Sequence, residues 1–167
     1  MEHIRFYEVN CEYVNFLSRF EPLLFHNKAS NQTNERKYIG VVLCVNGFQY
    51  FAPLSSHKPK HDRMQNGIDF IKIKQYAVIN LNNMFPVPKT EYKNVDFSKV
   101  SDYKYKSLLL SEYRYIKAIE KKIMTNAKIV YKHKTNTANK TSLSQRCNDF
   151  LILEKACMDY ISKNKQP

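Results

Sequence analysis

The 167 residues carry 27 Lys and Arg against 15 Asp and Glu, a formal net charge of +12, and 43% of the chain is hydrophobic, with 12 Tyr and 10 Phe. That length and apolar content suit one compact domain over 1–167 and exclude a chain disordered by composition. Three glycines, Gly40, Gly47 and Gly67, are too sparse and too widely spaced to build a dinucleotide loop or a P-loop. The surplus of positive charge favours a phosphate-rich partner. Cys11, Cys44, Cys147 and Cys157 form no C-x-x-C pair and no Cys/His cluster, so they predict buried thiols in a reducing cytoplasm, not a zinc site. The sequence has no basic leader followed by an apolar stretch and no apolar run of about 18 residues, which predicts a soluble, cytoplasmic protein.

In chain order, His3–Val9 is a short strand. Cys11–Phe20 is a helix with Tyr13, Val14, Leu17 and Phe20 on one face and Asn10 as N-cap. After Leu23-Leu24-Phe25 the segment to Glu35 is polar and predicts a loop. Tyr38–Val45 and Phe48–Leu54 are apolar strands joined by Asn46-Gly47, a pair that tolerates the positive φ of a type I′ turn. Ile68–Ile73 and Ala77–Leu81 follow as strands. Met84-Phe85-Pro86-Val87-Pro88 ends the sheet, since two prolines cannot continue a central ladder.

From Tyr105 the apolar period lengthens. Leu108, Leu109, Ile116, Ile119, Ile123, Ala127 and Val130 form one stripe of a long helix. Residues 133–137 are a polar linker. Leu143, Cys147, Phe150, Leu151, Met158 and Ile161 mark a terminal helix capped by Thr141 or Ser142. The fold class is α+β: a small, largely antiparallel sheet with an early helix, a long basic helix and a C-terminal helix.

Charge is uneven along the chain. Residues 1–83 hold 10 basic and 7 acidic side chains, and residues 84–167 hold 17 and 8. On the long helix Lys117, Lys121, Lys128 and Lys132 fall near one face, with Arg114 a turn earlier, and lack the alternating acids of an ordinary solvated helix. Tyr113, Tyr115 and Tyr131 lie among them, a mixture suited to stacking unpaired bases beside phosphate contacts. His3, His26 and His133 stand alone and predict surface histidines.

The exit of the hairpin reads Ser55-Ser56-His57-Lys58-Pro59-Lys60-His61-Asp62-Arg63. RNA cleavage without a metal needs a group to deprotonate the ribose 2′-OH, one to protonate the 5′-oxygen, and donors or cations for the phosphorane. Ser55 and Ser56 supply hydroxyl donors, Lys58 a cation, and His61 a proton carrier near neutral pH. A Ser55/His61/Asp62 hydrolase triad is disfavoured, because residues so close in sequence do not reach triad geometry and no G-x-S-x-G is present. The scattered acids give no two-metal cluster.

The runs Ile4-Arg5-Phe6-Tyr7, Lys37-Tyr38-Ile39-Gly40-Val41-Val42-Leu43, Phe51-Ala52-Pro53-Leu54-Ser55-Ser56-His57-Lys58, Ile79-Asn80-Leu81-Asn82-Asn83-Met84-Phe85-Pro86-Val87-Pro88 and Leu108–Ile116 together resemble the ToxN/AbiQ family. These are endoribonuclease toxins of type III toxin–antitoxin systems. The resemblance covers most of the chain. It implies a curved antiparallel β-core related to the Kid/MazF toxin fold. It implies cleavage that needs no metal or other cofactor and leaves a 2′,3′-cyclic phosphate. It further implies inhibition by a repeat-derived pseudoknot RNA that the toxin itself processes, closed protein–RNA assemblies, messenger RNA as substrate, and growth arrest or abortive phage infection. Carried over, the Ser/Thr–Ser–x–Lys motif falls on Ser55, Ser56 and Lys58, and the basic residue before the second strand on Arg36 or Lys37. His61 matches a histidine position near the end of the motif. Ser55 stands where some relatives have Thr, and Lys60 where others carry an aromatic.

Lys37, Ser55, Ser56, Lys58 and His61 are thus the candidate catalytic residues, with the general base open among Lys37, Lys58, His61 and a tyrosine. Arg5, Arg36, Lys60, Arg63, Arg114, Tyr115, Lys117, Lys121 and Lys128 are the candidate RNA contacts. The alternative is a non-catalytic RNA-binding module. A DNA-binding regulator is disfavoured, since no helix-turn-helix or zipper pattern occurs, and neither a membrane nor DNA is an expected partner.

Overall fold

The computed structural model describes residues 3–24, 37–138 and 140–164. The strands are β1 (Arg5–Val9), β2 (Tyr38–Val45), β3 (Phe48–Ser56), β4 (Phe70–Ile73), β5 (Ala77–Asn80), β6 (Phe85–Pro86) and β7 (Tyr92–Asn94). The helices are α1 (Cys11–Leu17), α2 (Tyr103–Ala118), α3 (Glu120–Thr135), α4 (Ser142–Arg146) and α5 (Phe150–Asn164). The seven strands form an antiparallel sheet in the order β4-β5-β3-β2-β1-β7, with β6 paired to β3.

Strand alternation sends successive side chains to opposite faces, and both faces are covered. Ile4, Phe6, Ile39, Ala52, Leu54 and Ile79 pack under α2 and α3 through Leu109, Ile116, Ile123 and Ala127. Tyr7, Val9, Tyr38, Phe51 and Phe85 pack on the other side against α1 and α5 through Tyr13, Leu17, Leu153 and Cys157. Full burial of such side chains contributes roughly 1.5–3 kcal/mol each. At Gly40 a Cβ would overlap the ring of Phe51, so the close approach of β2 and β3 requires glycine there. The hairpin turn has φ of 51° at Asn46 and 81° at Gly47, as expected of the Asn-Gly pair.

Asn10 caps α1 by accepting the Glu12 amide, but the helix ends at Leu17, three residues short of the expected Phe20. Four other expectations change. The sheet continues past residue 88, because Pro86 lies in a two-residue strand beside β3 and β7 joins the β1 edge. The expected long helix is two helices. Its break at Ile119 coincides with an anchor, the Glu120 carboxylate, which accepts the Ile4 amide and the Lys117 ammonium. The terminal helix is also divided. Thr141 caps α4, and Asn148 then leaves the helical path, donating from its amide to Asn82 and from Nδ2 to Met84. Cys147 and Cys157 are buried, whereas Cys11 and Cys44 are exposed.

The hairpin, α3 and α5 meet at one buried carboxylate. Glu154 accepts the hydroxyls of Tyr50 and Tyr131, each at 2.8 Å, and the Tyr131 ring stacks on Phe150. Among the described residues no helix is long and apolar enough to cross a membrane.

Candidate active site and RNA-binding surface

β3 outlasts its apolar run because Ser55 and Ser56 keep pairing with β5, opposite Val78 and Ala77. The two hydroxyls therefore belong to strand, not loop, and the pleat separates them. Ser56 shares the face of Leu54 and is exposed, and half-buried Ser55 opens on the other face. Beyond Ser56 the chain turns through a short 3-10 helix, Pro59–Arg63.

Lys58 and His61 close that turn reciprocally. The His61 amide donates to the Lys58 carbonyl at 2.8 Å, and the Lys58 amide donates to His61 Nδ1 at 3.0 Å. With Nδ1 accepting, the neutral ring carries its proton on Nε2. Burial, and then the charges of Lys60, His57 and Lys58, push the His61 pKa below its ordinary value. The direction favours the neutral ring. Charging His61 would sacrifice the Lys58 amide bond, and the free nitrogen is a donor. The ring suits a fixed hydrogen-bond donor that also sets the Lys58 backbone. Lys58 itself is exposed, and among the described residues no carboxylate pairs with its ammonium.

His57, which the sequence reading passed over, donates its backbone amide to Tyr76 and holds Asp62 Oδ1 at 2.9 Å through Nε2, while its buried Nδ1 has no partner. Its ring lies 5.5 Å from that of His61. The spacing His57-x-x-x-x-Asp62 around a proline-started turn is the sequence signal for this clamp.

Lys37 enters the site from the neighbouring strand. The Leu54 amide donates to the Lys37 carbonyl at 3.1 Å, so the two residues stand side by side. On its other flank Lys37 meets Glu8 of β1, whose Oε1 takes the Lys37 ammonium and whose Oε2 takes Lys93 of β7 at 3.0 Å. Lys93 of β7, Glu8 of β1, Lys37 just before β2 and Leu54 of β3 thus form one row, with Ser56 two residues farther along the same face of β3. Burial alone would raise the Glu8 carboxyl, but the hydrogen bonds from Lys37 and Lys93 outweigh it and hold it below its ordinary value. Glu8 was also missed, although an acid in register with Ile4 and Phe6 on the inward face of a strand signals a partner. Beneath this face Glu112 of α2 is buried, and desolvation raises its carboxyl to about 7.

The candidate RNA contacts fall into three groups. Arg5, Lys60, Arg63, Arg114, Lys121 and Lys128 are exposed. Lys117 is held by Glu120 at 2.8 Å, and half-buried Tyr115 has Lys74 Nζ 5.6 Å from its ring centre. Arg36 and His26 lie outside the described residues. The expected stacking tyrosines are otherwise engaged: Tyr113 packs against Phe6 and Phe97, and Tyr131 belongs to the Glu154 cluster. The break at Ile119 divides the expected cationic face between α2 and α3. What remains on α3 is Lys121, Lys128 and Lys132, exposed and without an ion pair among the described residues. Among the described residues no group of three or more His, Cys, Asp or Glu is placed to hold a metal ion. His3 pairs with Glu120, and His133 meets Thr141 Oγ1 at 2.6 Å.

Residues 5–158 match the family model for toxin ToxN of type III toxin–antitoxin systems. The chain is 29% identical to the endoribonuclease ToxN of Bacillus thuringiensis subsp. kurstaki, over 96% of this chain and 86% of that protein. It is 30% identical to the endoribonuclease AbiQ of Lactococcus lactis subsp. lactis, over 96% and 91%. A solved structure from work on selective toxin inhibition by a non-coding RNA pseudoknot superposes with a TM-score of 0.84 at 27% identity, covering 96% of this chain and 99% of that one.

Proposed function

Because the chain belongs to the ToxN family of type III toxin–antitoxin toxins, we propose that it is an endoribonuclease that cleaves messenger RNA without a metal and is silenced by a small RNA antitoxin. The observation that carries this reading is the common face of Ser56 and Lys37 at the end of β3, next to a turn that fixes Lys58. In the reaction the ribose 2′-oxygen forms a bond to phosphorus, and the bond from phosphorus to the 5′-oxygen breaks. The 2′-proton leaves to a base, the 5′-oxygen gains a proton, and the upstream fragment ends in a 2′,3′-cyclic phosphate.

In this reading Lys37, fixed beside Glu8, neutralises charge developing on the phosphorane. Ser56 donates to a non-bridging oxygen, and His61 Nε2–H is a second neutral donor. Lys58, exposed and without a carboxylate partner, exchanges protons with the reacting oxygens. Ser55 supports the strand end from the opposite face. Arg5, Arg36, Lys60 and Arg63 guide the substrate strand, and exposed Arg114, Lys121 and Lys128 hold the antitoxin phosphates. The antitoxin is the pseudoknotted unit that the toxin cuts from its repeats, and its end fills the groove that substrate needs. Growth arrest on release, including abortive phage infection, is the expected outcome in a bacterial cytoplasm.

The test is incubation of purified protein with messenger RNA in EDTA. Fragments with cyclic phosphate ends are expected, and loss of all cleavage in EDTA overturns the metal-free reading. Expression in bacteria separates the alternative of a binding module. Growth arrest that Ser56→Ala and Lys58→Ala relieve supports cleavage, whereas arrest that survives both but is lost in Lys121→Glu/Lys128→Glu supports binding alone.

A further inference from the structure

We propose that Glu8 is the positioning residue of the cleavage site, acting through Lys37; this rests on the reading of Lys37 as the phosphate-neutralising cation. A lysine stem has four rotatable carbons and large rotamer freedom, and its ammonium is a point charge that does not orient itself. Here that freedom is removed from two sides. The Leu54–Lys37 backbone bond sets the height of Lys37 on the sheet, and Glu8, directly across from it on β1, takes the ammonium. The Lys37 side chain is 11% exposed and that of Glu8 22%, so the pair lies largely out of solvent, where screening is weak.

Lys93 gives the arrangement its sign. A lone carboxylate against Lys37 would cancel the positive charge needed by a phosphorane. With Lys93 on Oε2 the three-residue row keeps a net charge of +1. Each Glu8 oxygen also has its own cation, so the carboxylate cannot swing away from Lys37 without giving up a second ion pair. Further titratable groups face this row from α2. Tyr105 is raised by burial and then by Glu112 and Glu8, which places its phenol near both acids.

The experiment is a double-mutant cycle on single-turnover cleavage by the full chain in EDTA. The substrate is an oligonucleotide containing a site mapped with the wild type. Glu8→Gln preserves shape and removes the charge, and the cleavage step is expected to slow about 100-fold, the cost of about 1 Å of misplacement, with KM changed by less than about threefold. In a Lys37→Met background the same substitution is expected to cost nothing more. Glu8→Asp, which keeps the charge, is expected to restore part of the loss; if Glu8→Gln does not fold, Glu8→Asp with Lys37→Met completes the cycle. Unchanged cleavage in Glu8→Gln, or an additive loss in the Lys37→Met background, overturns the proposal. Failure of the underlying reading looks different: the wild type does not cleave in EDTA, or Lys37→Met and Ser56→Ala leave the rate untouched.

Discussion

The end of β3 and the outer face of α3 both present lysines to solvent, yet they treat polar groups in opposite ways. At the strand end the groups are tied down. Lys37 is held by Glu8, the Lys58 backbone by His61, and His57 by Asp62. On α3, Lys121, Lys128 and Lys132 stand on an exposed face with no ion pair among the described residues. The C-terminal part of α3 lies apart from the strand exit, since Tyr131 bonds Asn46 at the hairpin turn while Ser56 is at the other end of β3, roughly 26 Å away at about 3.3 Å per residue. Chemistry rewards fixed donors, and holding a polyanion needs only a dense, mobile field.

The largest expected effect breaks the comparison at its reactive end. Ser56→Ala should slow cleavage about 10²–10³-fold while RNA affinity in a filter-binding assay stays the same. A matching loss of affinity would mean that the strand end also does the holding. Next, Lys121→Glu/Lys128→Glu should weaken binding of the pseudoknot about tenfold or more and reduce the slope of log affinity against log salt by about 1–2. Cleavage of a short unstructured oligonucleotide should be unchanged.

A smaller effect concerns the layer between the two regions. The Glu112 carboxyl is raised to about 7 by desolvation, so the folded state holds a proton that the unfolded chain has lost above about 4.5. Stability from this group is full at low pH and is lost as pH rises through 7. Glu112→Gln should therefore raise the thermal midpoint at pH 8 by about 4–8 °C, corresponding to about 2 kcal/mol, with little change at pH 4. The smallest effect sharpens the role of His61. Its ring, followed by NMR, should titrate below 6.5. Because the folded value is depressed, its contribution to stability is present above 6.5 and is lost as pH falls through that lower midpoint.

Local signals in the sequence carried the elements whose causes are local. Asn46-Gly47 fixed the hairpin and Asn10 the start of α1, and apolar, β-branched runs found β2 and most of β3. The breaks at Ile119 and Asn148 left no such trace, because the first coincides with Glu120 reaching the Ile4 amide 116 residues away and the second with Asn148 bonding Met84. The same division runs through the site. The Ser55–Lys58 motif was visible, but the separation of its two hydroxyls depends on two further residues of pairing with β5. The anchoring of Lys37 depends on a residue 29 positions earlier. Tyrosines were the hardest to place. Composition set Tyr113 and Tyr131 among cations as stacking surfaces, and tertiary packing turned both inward.

The carboxylate of Glu154 has a consequence for synthesis. It joins Tyr50 across 104 residues and Tyr131 across 23, and its helix also supplies Leu153 and Cys157 to the layer under β2 and β3. A ribosome that has released only the first 145 residues has already made the strand bearing Ser56. It has not yet delivered the helix that closes the core on which that strand rests. The face of β2 and β3 that α5 covers therefore stays open until that helix has emerged.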